Sequence, residues 1–259
     1  MSNRIVLLGV SMAMTLGMLS AAASAQQKKV LFLTKSSGFQ HSVITRDPKD
    51  PMKPAWAEKI LIDLGKQSGY EVTITKDADV FNDPQTYKTY DVFAFYTTGD
   101  LTKASDKKAR DGKLIHTEKP MSAEGKAMLL QAIKDGKGLI GFHCASDTFH
   151  SPNFNQGAGG SKFGRSEQVD LFIDCIGGEF CGHQDQAYAT MKFVSPDFPG
   201  LRGFKDFTMF EEWYSLKNFN PDLHVVLVQD TASTKNQRGE RQSDYQRPDY
   251  PSTWARQNG

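Results

Sequence analysis

Gly136-Lys137-Gly138-Leu139-Ile140-Gly141-Phe142-His143-Cys144-Ala145-Ser146-Asp147 decides the fold. Asp135-Gly136 ends a helix that Ser122 caps and that carries Leu129, Leu130 and Ile133. Gly138 to Phe142 then reads as a short apolar strand, and it breaks at once into a polar run ending at Thr148-Phe149-His150. A helix, a tight glycine stop and a buried strand in that order make half of a βαβ unit.

The same grammar appears upstream. Val30-Leu31-Phe32-Leu33 is a buried strand that stops at Thr34-Lys35-Ser36-Ser37-Gly38. From Lys53 to Ser68 the period becomes helical, with Trp56, Ile60 and Leu64 forming an apolar stripe, and Gly69 stands where a helix-terminating glycine belongs. Tyr70 to Thr75 alternates as a strand, and Tyr90 to Tyr96 is another, stopping at Thr97-Thr98-Gly99-Asp100. Lys103 to Lys113 reads as a solvated polar loop. Downstream, Gln156 to Ser161 is a Gly-rich loop, and Ser166 is the expected cap of a helix carrying Val169, Phe172, Ile173 and Ile176, closed by Gly177-Gly178. Further strands are expected at Ala189 to Val194, Phe207 to Leu216 and His224 to Val228. Strands alternating with helices imply an α/β domain built on a parallel sheet with helices on both faces. No repeat or linker divides the chain, so residues 26–259 are expected to form one domain.

Composition narrows the function classes. Lys plus Arg is 31 and Asp plus Glu is 30, which removes the cationic excess that a nucleic-acid binder uses. The N-terminus is a separate object: Arg4, an apolar or small run from Ile5 to Ala22, and Ala23-Ser24-Ala25 before polar Gln26-Gln27-Lys28-Lys29. That is the pattern of a signal peptide spanning 1–25 and cut after Ala25, which predicts a periplasmic or secreted protein with no membrane span after cleavage. In an oxidising compartment Cys175 and Cys181 could pair, leaving Cys144 over.

In open α/β sheets, ligands bind beyond the carboxyl ends of the strands. Three such ends carry polar residues here: Ser36 to His41, Thr97 to Asp100 with Gly99, and His143 to His150. His183 follows Gly177-Gly178-Glu179-Phe180-Cys181-Gly182. Three chemistries fit. Cys144 at a strand-to-helix turn suggests a thiol nucleophile, although it lacks the flanking glycines of a sharp elbow, and a small buried cysteine is the plain alternative. His143, His150 and His183 offer imidazoles for a divalent metal such as zinc, but Asp147 and the two nearby histidines are not spaced as a familiar ligand signature. His143 as a proton carrier with Asp147 orienting it suits proton transfer to a sugar hydroxyl or keto group. His41 and His183 would then bind substrate, and Glu211-Glu212-Trp213-Tyr214 adds carboxylates beside aromatics, a mixture that suits carbohydrate. Strand alternation by itself turns one of those glutamates away from any site.

Several stretches together resemble a known family. K-V-L-F-L-T-K-S-S-G-F-Q-H-S (Lys29 to Ser42), G-K-G-L-I-G-F-H-C-A-S-D-T-F (Gly136 to Phe149), I-G-G-E-F-C-G-H (Ile176 to His183), S-P-D-F-P-G-L (Ser195 to Leu201), E-E-W-Y (Glu211 to Tyr214) and P-D-Y-P-S-T-W-A-R (Pro248 to Arg256) occur in the order seen in ThuA-like proteins, named for trehalose utilisation. The resemblance implies a flavodoxin-type, class I glutamine-amidotransferase-like fold; it does not imply glutaminase activity. It also implies a bacterial carbohydrate role, with oxidised (3-keto) disaccharides as substrates. His41, His143, Asp147, His183, Glu211 and Glu212 are the family-like polar positions. Family members typically continue past W-A-R with a further strand, so the chain is expected to stop short of its last strand. The rival expectations are a non-catalytic sugar-binding module and a cysteine hydrolase using Cys144.

Overall fold

The apolar runs form the strands expected of them. The computed structural model describes residues 26–108, 111–152 and 163–258; the expected signal peptide and the Gly-rich loop from Gln156 to Ser161 lie outside the described residues. Strands β1 (Lys29–Leu33), β2 (Glu71–Thr75), β3 (Val92–Phe95) and β6 (Gly138–Gly141) make a parallel sheet in the order β2-β1-β3-β6. Successive residues of β1 face opposite layers. Val30 and Phe32 pack with Ala94, Leu61, Val72 and Ile74 on one side. Leu31 and Leu33 join Phe93, Phe95, Leu129, Ile133 and Phe172 on the other. Phe32, Phe93 and Phe95 are at most 1 % exposed, and burying each side chain contributes about 1.5–3 kcal/mol.

Helix α1 (Trp56–Ser68) covers the first face; α2 (Pro84–Thr89), α3 (Ala123–Lys134) and α4 (Leu171–Ile176) lie with the second. Gly69 closes α1 and the Ser122 hydroxyl caps α3 by accepting from Gly125 N at 2.9 Å, both as the sequence suggests. The cap of α4 is Asp170, accepting from Phe172 N at 2.8 Å, rather than Ser166. The stripe on α1 also differs from expectation: Trp56, Ile60 and Leu64 are 67 %, 39 % and 45 % exposed. Two residues on the opposite side set the helix rotation. Gly65 lies so close to Tyr70 that an added Cβ would sit 2.8 Å from its carbonyl oxygen. Glu58 turns inward to take Ala55 N at 2.8 Å, Thr34 Oγ1 at 2.6 Å and Arg46 Nε at 2.9 Å.

The stretch expected to be a loop contains β4 (Ser105–Lys108), which forms a hairpin with β5 (Leu114–Glu118). It docks on the end of β1 through Ser105 Oγ and Lys107 Nζ, each donating to Ser36 O at 2.7 Å. Strand β4 is wholly polar, and β5 carries its apolar residues Leu114 and Ile115 side by side and exposed, so no apolar alternation announces the hairpin.

The second half of the chain is antiparallel. Strands β8 (Ala187–Phe193), β9 (Phe207–Glu211), β11 (His224–Asn236) and β12 (Tyr250–Ala255) form one sheet in the order β12-β11-β8-β9. Strands β7 (Glu179–His183) and β10 (Tyr214–Lys217) form a separate pair. The single strand expected over Phe207 to Leu216 is therefore two, in different sheets. Glu212 and Trp213 make the corner between them. Trp213 points inward, donating from Nε1 to Ala187 O at 2.7 Å, while its own carbonyl accepts from Tyr245 Oη at 2.7 Å. None of the three cysteines is in a disulfide, so the Cys175–Cys181 pairing that the sequence allows is not formed. Among the described residues, no helix is long and apolar enough to cross a membrane.

Candidate functional site

The loops leaving β1, β3 and β6 are sewn together by backbone hydrogen bonds that continue the sheet. Ser36 bridges Thr98 and Gly99 bridges Thr148 in parallel register. Ser37 N donates to Thr98 O at 2.9 Å, Gly99 N to Asp147 O at 2.7 Å and Phe149 N to Gly99 O at 3.2 Å. Gly99 has φ 71°, and a Cβ there would fall 2.7 Å from Gly38 N. The structure thus places Gly99 in the seam between loops.

The seam fixes two histidines side by side. His41 precedes a short 3₁₀ turn, Ser42–Ile44, and His143 opens another, His143–Asp147, with φ 43°. A β-region strand entering a 3₁₀ turn through a left-handed residue is strained, and such strain collects where the surroundings over-determine a side chain's position. The ring centroids of His41 and His143 are 4.6 Å apart. Tyr214, from β10, lies 4.3 Å from His143 and 4.2 Å from Phe180, and Tyr96 completes the wall 5.9 Å from His143. His41 Nε2 contacts Tyr214 Oη at 3.2 Å.

The carboxylate on His143 is Glu212, whose Oε2 is 3.2 Å from Nε2; its Oε1 is 3.6 Å from His183 Nε2. Asp147, expected to orient His143, bonds His150 instead, at 2.9 Å from Nε2. The cause is geometric. In the 3₁₀ turn, with three residues per turn, position i+4 is swung away from i, so Asp147 stands clear of His143. His150 lies beyond the turn, after extended Thr148 and left-handed Phe149 (φ 53°), and meets Asp147 there. His150 is held on its other nitrogen by Glu179 Oε1 at 3.3 Å. Among the described residues, His143, His150 and His183 do not gather as a metal trio; the group that does is His41, His143 and Glu212, whose ligand atoms all lie within 4.8 Å of one another. Glu211 ends β9 with its carboxylate accepting from Glu212 N at 2.8 Å, which helps to turn the corner.

Burial lowers the pKa of His41, with Glu212 and Asp147 opposing it. Burial also lowers His143, and the neighbouring His41 adds to that. Both imidazoles therefore favour the neutral form, the state that accepts a proton or donates a lone pair. Tyr96 and Tyr214 are pushed up by burial, so their hydroxyls stay protonated. Cys144 is fully buried, and burial pushes its thiol up as well. That is the environment of an inert cysteine, and it removes the physical basis for a thiolate nucleophile.

Beside this cluster a cleft of about 1000 Å³ opens, lined by His183, Gln184, Gln186, Glu212, Asn236, Gln237 and Gln242 with Asp185, Arg238 and Glu240. Carboxamides both donate and accept, which matches a ligand rich in hydroxyls. Of this wall, Tyr214 belongs to the Glu211 to Tyr214 run that the sequence offers for a site, whereas Tyr96 and Phe180 carry no such signal; apolar strand ends look alike whether they face a core or a site. Glu179 was passed over because nothing local marks a buried glutamate.

Four parallel strands flanked by helices, with polar loops meeting at one edge, make an α/β domain consistent with the glutamine-amidotransferase-like fold. The chain matches the family described as trehalose utilisation, ThuA, over residues 29–259, and it belongs to that family. In structure it is similar to a protein described as ThuA-like from Bacteroides uniformis ATCC 8492, with TM-score 0.58 and 16 % identity over 92 % of this chain and 82 % of that one. A second ThuA-like protein, from Parabacteroides merdae ATCC 43184, gives TM-score 0.47 and 14 % identity over 83 % and 72 %. No curated protein matches the chain.

Proposed function

We propose that this protein binds a carbohydrate, an oxidised (3-keto) disaccharide being the best fit, and transforms it at the His143–Glu212 pair. We also propose that it works outside the cytoplasm, after loss of residues 1–25. The observation that carries the reading is the 3.2 Å contact between His143 and Glu212 at the mouth of the amide-lined cleft. The carboxamides that line the cleft satisfy the hydroxyls of a sugar. A neutral imidazole beside a carboxylate suits deprotonation or polarisation of a hydroxyl or keto oxygen. The family description, trehalose utilisation, supports a disaccharide.

Calorimetry and product analysis with trehalose, maltose and their 3-keto derivatives test this. Wild-type protein is expected to bind and convert a keto-disaccharide. Glu212→Gln and His143→Ala should cut turnover by about 10²–10⁴-fold with the thermal melt retained. Binding without conversion would make the domain a sugar-binding module, and no binding of any disaccharide would sink the reading. Activity should survive iodoacetamide, since Cys144 is buried.

A further inference from the structure

We propose that His41, His143 and Glu212 hold a divalent transition-metal ion, with zinc the best fit, and that this ion is what faces the sugar oxygen. The inference rests on the carbohydrate reading of the same cluster and specifies how the site acts on its ligand.

Three observations support it. The first is spacing. Zinc binds imidazole nitrogen and carboxylate oxygen at roughly 2.0–2.2 Å, so ligands at tetrahedral angles stand about 3.4 Å apart. His143 Nε2 and Glu212 Oε2 are already 3.2 Å apart. The whole set falls within 4.8 Å, so His41 need close in by only about 1.4 Å to complete the shell. The second is the donor set. Two imidazoles and one carboxylate favour zinc and its transition-metal neighbours over magnesium or calcium, which prefer oxygen.

The third is the way the set is mounted. Each ligand comes from a different part of the chain: the loop after β1, the strained start of the turn after β6, and the corner between β9 and β10. Partners behind them fix their orientation. Tyr214 Oη stands 3.2 Å from His41 Nε2 and, in the tautomer with the proton on Nε2, accepts from it and leaves the Nδ1 lone pair for the ion; His183 stands 3.6 Å from the second oxygen of Glu212. Supporting contacts of that kind orient metal ligands. Glu212 and His183 also line the cleft, so a fourth coordination position opens toward the incoming ligand, as in zinc sites that act on substrates. His150 shows the contrast: both its nitrogens are taken by carboxylates, which leaves no lone pair for an ion. With the ion seated, His41 and His143 serve as its ligands, and the site polarises a keto or hydroxyl oxygen instead of deprotonating it with a free imidazole.

The test uses untagged full-length protein, stripped with a chelator and dialysed, then titrated with Zn²⁺ and separately with Co²⁺ in the absence of sugar. The expected result is one ion per chain, with visible Co²⁺ bands of a low-coordinate site. His41→Ala, His143→Ala and Glu212→Gln should each weaken binding more than about 100-fold, beyond the 10–100-fold range of outer partners such as Tyr214→Phe. His224→Ala and Cys181→Ser should leave it unchanged. Circular dichroism confirms that each variant is folded, and Glu212→Gln, which keeps the side-chain shape, serves if an alanine variant is not. No ion on the wild type, or equal affinity in Glu212→Gln, overturns the proposal. Because no sugar is present, that failure leaves the carbohydrate reading standing. Metal binding with no disaccharide bound to either the loaded or the stripped protein would remove the carbohydrate reading alone.

Discussion

His143 and His150 leave the same loop, each beside a carboxylate, and their surroundings drive them in opposite directions. His143 meets one carboxylate across an open cleft, and burial beside His41 lowers its pKa. His150 is clamped between two. Burial alone would lower it, but hydrogen bonds to Asp147 and Glu179, with their charges, outweigh that and raise it to about 9. The first imidazole favours its neutral form; the second is a fastener that stays charged at neutral pH. Residue type and sequence neighbourhood do not distinguish them. The number of acceptors around each imidazole does.

The fastener should break hardest. Glu179 is fully buried and accepts from Ser151 N at 2.7 Å, Ser151 Oγ at 2.9 Å and Asn218 Nδ2, besides holding His150. Glu179→Ala strands those groups and a charged imidazole, and should cost about 3–5 kcal/mol in urea unfolding. A loss below about 1 kcal/mol, the scale of an exposed pair, would place both histidines in one class. Next comes the seam that carries both. Gly99→Ala forces a side chain into a left-handed backbone and against Gly38 N, and should cost about 2 kcal/mol. It should also weaken ligand binding, because Gly99 holds Asp147 and Phe149, on either side of the divide. Unchanged affinity would show that the loops find their places without it.

The smallest effect is in pH. His150, raised above its ordinary 6.5, stabilises the fold fully below that value, and its contribution is lost as pH rises through about 9. His41 and His143, both lowered, act with the other sign: stability falls as pH drops below 6.5 toward their folded values. Thermal melts across that range should therefore slope down on both sides. His150→Gln should flatten the alkaline limb alone. A flattened acid limb in that variant would contradict the assignment.

Much of this was legible in the chain. The apolar runs at Val30 to Leu33 and Gly138 to Phe142, each ending abruptly in polar residues, placed the loops that meet at the site, because strand ends and ligand loops coincide in this class of fold. The partnership of His143 with Glu212 was not legible. It depends on the chain leaving one sheet at Glu211 and joining another at Tyr214, and a run of aromatics and carboxylates reads as one strand until tertiary pairing splits it. The α1 stripe misled for a related reason: Trp56 and Leu64 have the right spacing, but a buried ion pair at Glu58 and a close approach at Gly65 decide which side faces in.

The backbone seam joining the loops after β1, β3 and β6 has one more consequence. Freezing a residue's backbone costs roughly 1–2 kcal/mol, and here Ser37, Gly38 and Gly99 are immobilised during folding, before any guest arrives. A ligand taken at these loops would be spared that part of the ordering cost and would keep a larger share of the free energy of its contacts.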